Sequence, residues 1–201
     1  MVDKRHSYFK SELKTRAEGE QDRYIDGYFA VFEQETELWQ GLFEKLARGA
    51  FDNSIKNNDI RCLFNHDSGF VLGRFLPSPM GTRTLELKVD DYGLYGSVKM
   101  NANDRQAMDI YARVERGDIS GCSFGFNPIK ESSEERADGW HYTVEEADTH
   151  EVSICTFPAY PQTEIQARQN DFKESQKRNL EQRKTILKNR LENIKNGTET
   201  T

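Results

Sequence analysis

Between Arg23 and Phe157 the chain is a series of short β-branched and aromatic runs, each closed by glycine, proline, asparagine or aspartate. That punctuation constrains the fold more than any other feature, because it leaves little room for long helices and suits pleated, half-buried strands. Arg23–Phe32 is the first run, with Gly27 as a candidate bulge. Asp59–Phe64 and Phe70–Phe75 follow, separated by the loop Asn65-His66-Asp67-Ser68-Gly69. Thr82–Val89 alternates, and the turn signal Asp90-Asp91-Tyr92-Gly93 leads into Leu94–Met100, which predicts a hairpin. Ile119–Phe126, ended by Pro128, then Trp140–Val144 and Val152–Phe157 complete the set, with the polar Glu131–Gly139 as a loop or hairpin tip. Pro158 and Pro161 close the body.

Two helices are expected among these strands. Trp39, Leu42, Phe43 and Leu46 form a short helical stripe that Gly49 ends. Asn103–Arg116 places Ala107, Ile110, Tyr111 and Val114 three and four apart, with Asn101 or Asn103 as its cap and Gly117 as its stop. About eight strands, two modest helices and no regular βαβ alternation predict an α+β, mostly β architecture, an antiparallel barrel or sandwich carrying helices.

The two ends differ from this body. Residues 1–21 are highly charged without a repeating apolar face, which predicts a mobile arm or marginal helix. From Phe172 onward the propensity is helical, and Leu180, Leu187, Leu191 and Ile194 draw one narrow seam, suited to a docking helix or a solvated tail. Residues 166–201 carry nine basic and five acidic side chains, so the net charge of −6 divides into +4 for this tail and −10 for residues 1–165. An acidic body repels phosphates, which argues against nucleic-acid binding. No stretch has the length and apolarity of a membrane span and the first residues offer no apolar signal core, so a soluble intracellular protein is the expectation. Cys62, Cys122 and Cys155 are odd in number and far from any C-x-x-C spacing, which speaks against a disulfide framework or a structural zinc site.

With no phosphate-cradling loop, metal spacing or cofactor motif, the strongest route to chemistry is nucleophilic. It needs a hydroxyl or thiol, a histidine to take its proton and a group to orient that histidine. Of four histidines, His6 lies in the arm and His141 in a strand after Trp140; His66 occupies the tight loop between two apolar strands, and His150 abuts the last strand. A lone loop histidine is more often simply exposed. The segment Gly117-Asp118-Ile119-Ser120-Gly121-Cys122-Ser123-Phe124-Gly125-Phe126 sets small residues within an aromatic strand, which admits close approach of a substrate backbone or marks a glycine bulge. On a regular strand Ser123 faces away from Phe124. Gly121-Cys122-Ser123-Phe124-Gly125 matches G-x-S-x-G in letters but leads into no helix, so it is not a nucleophile elbow. Asp148 and Glu151 flank His150, and either carboxylate is placed to hold the second nitrogen of His66 or to be a solvated acid near a turn.

Taken in order, Gly49-Ala50-Phe51, Asn65-His66-Asp67, the helix followed by Arg116-Gly117-Asp118-Ile119-Ser120-Gly121-Cys122-Ser123-Phe124-Gly125-Phe126, and Glu151-Val152-Ser153-Ile154-Cys155-Thr156-Phe157-Pro158-Ala159-Tyr160-Pro161 resemble the prohead proteases of tailed phages. These are similar to the herpesvirus assemblins, serine endopeptidases with an antiparallel β-barrel surrounded by helices. The resemblance covers residues 22–165. It implies an N-terminal arm over 1–21, a protease domain over 22–165 and a helical or disordered tail over 166–201. It makes Ser123 the nucleophile, His66 the general base and Glu151 the orienting third member, with Ser120 a second candidate nucleophile and Asp148 or His150 alternatives to Glu151. Cys122 precedes Ser123 and packs on the opposite face. No cofactor or metal is implied. The implied partners are the major capsid protein and its scaffolding segment and a second copy of the chain, within the immature capsid in the host cytoplasm, with no nucleic acid or membrane. A non-catalytic assembly scaffold or chaperone is the competing expectation.

Overall fold

The computed structural model describes residues 5–10 (backbone only), 12–19, 22–76, 83–156 and positions 181, 184, 185, 187 and 188. Met1–Ala159 and Tyr160–Thr201 are two separate compact units. In chain order the first unit runs β1 Arg5–Lys10, β2 Lys14–Glu18, β3 Asp22–Val31, β4 Thr36–Trp39, β5 Leu42–Leu46, α1 Ser54–Asn57, β6 Arg61–Phe64, β7 Asp67–Arg74, β8 Leu85–Val89, β9 Gly93–Met100, α2 Arg105–Arg116, β10 Gly121–Arg136 and β11 Gly139–Cys155. The mostly β expectation holds.

Hydrogen bonding sorts the strands into two sheets. The larger runs β1-β10-β11-β5-β4, with β6 also on β11 and β7 on β6; the smaller runs β2-β3-β9-β8. The expected barrel does not close. Closure needs edge strands of the two sheets to pair along their length, and among the described residues the sheets are joined only by isolated bonds such as Thr84 N–H to Arg74 C=O (3.1 Å) and Glu33 N–H to Leu46 C=O (2.8 Å).

Four local expectations are corrected. The charged arm contains two strands, β1 on β10 and β2 on β3, because strand pairing satisfies backbone groups whatever the side-chain polarity. The stripe from Trp39 to Leu46 is a hairpin, not a helix: Gly41 takes φ +76° between β4 and β5, and Leu42, Glu44 and Leu46 are buried in alternation, a period of two. Pro128 does not end β10, which absorbs it at register shifts and continues to Arg136. Trp140–Val144 and Val152–Phe157 belong to one strand at least as far as Cys155, so β10 and β11 form a long antiparallel ribbon. Phe157, Pro158 and Pro161 lie outside the described residues.

The second helix follows its sequence closely. Ala107, Ile110, Tyr111 and Val114 are its buried residues and Gly117 closes it in the left-handed region, φ +88°. Its cap is Asp104, whose carboxylate accepts from the Gln106 and Ala107 N–H groups, in place of the asparagines nearby. This helix joins one core with Ile25, Phe29, Leu94 and Val98 of the small sheet and Phe124, Phe126, Val152 and Ile154 of the large one. Gly96 belongs to that packing, since a Cβ there would lie 2.5 Å from the Phe29 ring. The described tail positions are helical, with a Lys184–Glu181 ion pair at 2.9 Å; of the apolar seam only Leu187 is described, and it is exposed.

Candidate active site

The central ribbon has two chemically different faces. Phe124 and Ile154 point into the core, which puts their neighbours Ser123 and Ser153 on the other face. Antiparallel register sets Ser123 opposite Ser153, Gly125 opposite Glu151 and Gly121 opposite Cys155, so all six share that face. Both strands are buried here, and Ser123 and Ser153 have no exposed surface. Gly125 is glycine for a visible reason: a Cβ there would come 2.4 Å from Glu151 Oε1. The missing side chain gives the carboxylate its place.

His66 reaches this face from a hairpin on β11. Phe64 pairs with Asp67, leaving Asn65 and His66 as a two-residue turn with φ +51° and +60°. Two successive left-handed residues give the turn that matches the twist of a hairpin, favourable for asparagine and costly, about 1 kcal/mol or more, for histidine. The turn is held from several sides. Asn65 N–H donates to Ile154 C=O (3.0 Å), Thr156 N–H donates to Asn65 Oδ1 (2.9 Å), and His66 N–H donates to Ser153 Oγ (3.3 Å). At the base of the hairpin the Arg74 guanidinium grips Asp59 (Nε to Oδ1, 2.9 Å), with Arg61 on the same carboxylate at 2.6 Å. Hydrogen bonding from Arg74, against the opposing cost of burial, holds the Asp59 carboxyl down to about 2, so the clamp is charged across the working range.

His66 Nδ1 lies 2.6 Å from Glu151 Oε1, and Glu151 Oε2 accepts from Ser153 Oγ at 2.6 Å. Glu151 is itself nearly buried, with 8% of its side chain exposed. The carboxylate therefore fixes one ring nitrogen as N–H and leaves Nε2 as the basic nitrogen, which is turned toward Cys155 Sγ at 3.8 Å. Of the residues singled out from sequence, His66 and Glu151 are brought into contact, and Ser123 lies on the same face of the ribbon.

The alternatives sit elsewhere. Asp148 accepts from Asn58 (2.7 Å) and Asn127 (3.4 Å), and His150 Nδ1 contacts the Asp148 carbonyl. Ser120 is exposed and precedes β10. Cys122 is fully buried in the core cluster, as its alternation with Ser123 predicts. Sequence reading passed over Ser153, which links the His66 backbone to Glu151; its signal was the alternation Glu151, Ser153, Cys155 along one strand face. The remaining runs of the resemblance are supports. Phe51 of the Gly-Ala-Phe run stands edge-on to Phe124 at 5.2 Å, directly beneath the serine's neighbour, and Arg116-Gly117-Asp118-Ile119 is the helix stop that leads into β10. Among the described residues there is no cluster of histidine, cysteine or carboxylate that would hold a metal, and no helix long and apolar enough to cross a membrane.

The prohead protease of Enterobacteria phage HK97 is 28% identical over 163 residues, 80% of this chain and 66% of that protein's length. The bacteriophage T4 capsid assembly protease gp21 shares the fold, with a TM-score of 0.51 and 13% identity over 76% of this chain and 96% of that one. A family model described as caudovirus prohead serine protease matches residues 11–178, the greater part of the chain, which belongs to that family.

Proposed function

We propose that the chain is a serine endopeptidase of capsid maturation, with Ser123 as nucleophile, His66 as general base and then general acid, and Glu151 as the residue that orients His66. The observation that carries this reading is the 2.6 Å contact of His66 Nδ1 with a nearly buried carboxylate on the strand face that bears Ser123. Glu151 accepts a hydrogen bond from Nδ1–H, so Nε2 takes the proton of Ser123 as its oxygen attacks the scissile carbonyl. The same Nε2–H then protonates the leaving amine. Water repeats the sequence in reverse and frees the acyl group. Glu151 stabilises the imidazolium that forms in each half-reaction without itself being protonated.

The HK97 and T4 relatives are named for proheads and capsid assembly, which supports scaffold, or the N-terminal scaffolding extension of the major capsid protein, as substrate inside the immature shell, together with the enzyme itself. We assign residues 22–165 to the protease domain, and the basic tail over 166–201 to recruitment. A homo-oligomer fits a protease whose activity rises when encapsulation concentrates it. Co-expression with the neighbouring capsid genes, followed by mass-spectrometric mapping of new termini, tests the whole reading. Processed termini are expected with the parent and absent with Ser123→Ala; processing that survives this substitution overturns it.

One observation favours a second nucleophile. Cys155 Sγ is 3.8 Å from His66 Nε2, the distance of a thiol poised on its base. Cys155→Ala decides the matter: retained peptidase activity leaves the serine in charge, and loss of activity with intact folding assigns the reaction to the thiol.

A further inference from the structure

β11 changes partners just before Glu151. On its edge away from β10, β5 pairs as far as Val144 and β6 begins at Glu151, so over residues 145–150 no described strand lies there. The segment that follows β5 takes the strand's place. Ala47 N–H donates to Val144 C=O and Ala147 N–H to Ala50 C=O, both at 2.9 Å. Farther along, side chains replace the missing backbone. Ser54 Oγ donates to Ala147 C=O and accepts from Thr149 N–H (2.9 Å), while Asn58 Nδ2 donates to Thr149 C=O (2.8 Å) and to Asp148 Oδ1 (2.7 Å). The single turn of α1 brings the two residues together, with Asn58 N–H on Ser54 C=O at 2.8 Å, and Ser54 is buried.

On the β10 side the same stretch holds a bulge. Thr149 stands opposite Phe126 and Glu151 opposite Gly125, so His150 is an extra residue in β11. Phe126 lies in the core cluster, which puts Thr149 on the core face, whereas Glu151 lies on the face of Ser123. Residues two apart share a face on a regular strand, so it is the extra residue that turns Glu151 out of the core and toward His66. The main chain shows the same switch: Ala147 and Thr149 bond along the α1 edge before the bulge, and Ile154, whose C=O accepts from Asn65 N–H, bonds along that edge after it. Thr149 does not choose its side by its own chemistry, since its Oγ1 is buried with no hydrogen-bond partner among the described residues. We propose that Ser54 and Asn58 are positioning residues of the active site: by holding Ala147 and Thr149 they fix the bulge at His150, and through it the facing of Glu151 and its contact with His66. The inference rests on the serine-peptidase reading in which Glu151 orients His66.

The test uses the full chain as the parent, as Ser54→Ala and Asn58→Ala, and as Ser54→Thr, which keeps the hydroxyl. One readout is the proton NMR resonance of His66 Nδ1–H, identified by its absence from His66→Gln; it reports the contact with Glu151 and needs no turnover. The other is the rate at which a serine-reactive phosphonate labels Ser123. Circular dichroism and thermal unfolding check the fold.

In Ser54→Ala and Asn58→Ala the resonance is expected to shift upfield or vanish, and labelling to slow about tenfold to a hundredfold, the scale of a displacement near 1 Å. Ser54→Thr is expected to restore both. An unchanged resonance in the folded alanine variants, with only Tm lowered, reduces these bonds to fastening α1 and overturns the proposal. An altered resonance with labelling at the parent rate overturns it as well, and a folded Ser54→Thr that does no better than Ser54→Ala overturns the role given to the hydroxyl. If Ser54→Ala does not fold, Asn58→Ala, whose side chain is partly exposed, decides alone. An altered resonance with no labelling of any form, the parent included, leaves the positioning of Glu151 standing and overturns the peptidase reading.

Discussion

His66 and His141 both touch carboxylates, but in different arrangements. His66 gives Nδ1 to Glu151 and turns Nε2 toward Cys155 Sγ, on the face of the ribbon that holds Ser123. His141, farther along the same ribbon, has a carboxylate on each nitrogen, Glu35 on Nδ1 at 2.9 Å and Asp138 on Nε2 at 3.0 Å, and its ring stacks on Phe43 at 4.4 Å. Burial acts to lower its affinity for a proton, but the hydrogen bonds to Asp138 and Glu35 outweigh that and raise it. A ring held at both nitrogens anchors the turn end of the β10–β11 ribbon. Acid–base work requires one nitrogen spent on orientation and the other left for the reaction, and of these two histidines His66 in the β6–β7 turn has the arrangement that suits it.

The sharpest break of the comparison is at the reacting groups. Ser123→Ala and His66→Ala should each lower kcat by a factor on the order of 10⁶, with the two together no worse than either alone, because they act as one unit. Peptide hydrolysis by the single and double variants measures this, and additive losses would separate the two residues. Glu151→Gln should cost about 10⁴ with the fold intact, since an amide presents the wrong hydrogen-bonding pattern to Nδ1 and favours the wrong tautomer. A loss below tenfold would return the third position to Asp148 or His150.

Much of this site was written in the sequence, and the part that was not has a physical cause. The buried stripe of α2 appeared as predicted because its spacing of three and four has one helical reading. The stripe from Trp39 to Leu46 misled because four apolar residues over eight positions fit both periods, and Gly41 and the parallel partner β11 chose the strand. β1 and β2 were illegible because their side chains are charged and the stabilising term is backbone pairing with strands more than one hundred, or about ten, residues away in sequence. The role of Gly125 was invisible for a related reason: it has meaning only through the register of β10 on β11, which no local pattern encodes.

That register yields two intermediate tests. Gly125→Ala places a methyl where Glu151 Oε1 now lies, so the carboxylate must move and His66 with it; a loss of about 10²-fold in kcat is expected for a displacement near 1 Å. Ser153→Ala removes one acceptor for the His66 N–H and one donor to Glu151, which should cost about five- to tenfold, corresponding to a buried hydrogen bond of about 1 kcal/mol. Restoration by Ser153→Thr would mark the hydroxyl as a positioning group, while a similar loss in both would trace the effect to packing.

The smallest effect belongs to His141, where the comparison predicts a change in stability and none in the pH profile of catalysis. Its proton affinity is raised in the folded state, so the stabilisation it gives is fully present below the ordinary imidazole value of about 6.5 and is lost as pH rises through the folded value. The parent should therefore lose a little Tm across that window, about 1–3 °C, and His141→Gln should show a flatter dependence because neither Glu35 nor Asp138 then faces a titrating cation. Hydrolysis measured over the same pH range should show the same profile and midpoint in both proteins. A shifted kinetic midpoint in His141→Gln would mean that the arm and the active site share a titration, and the separation of the two histidines into an anchor and a base would fail.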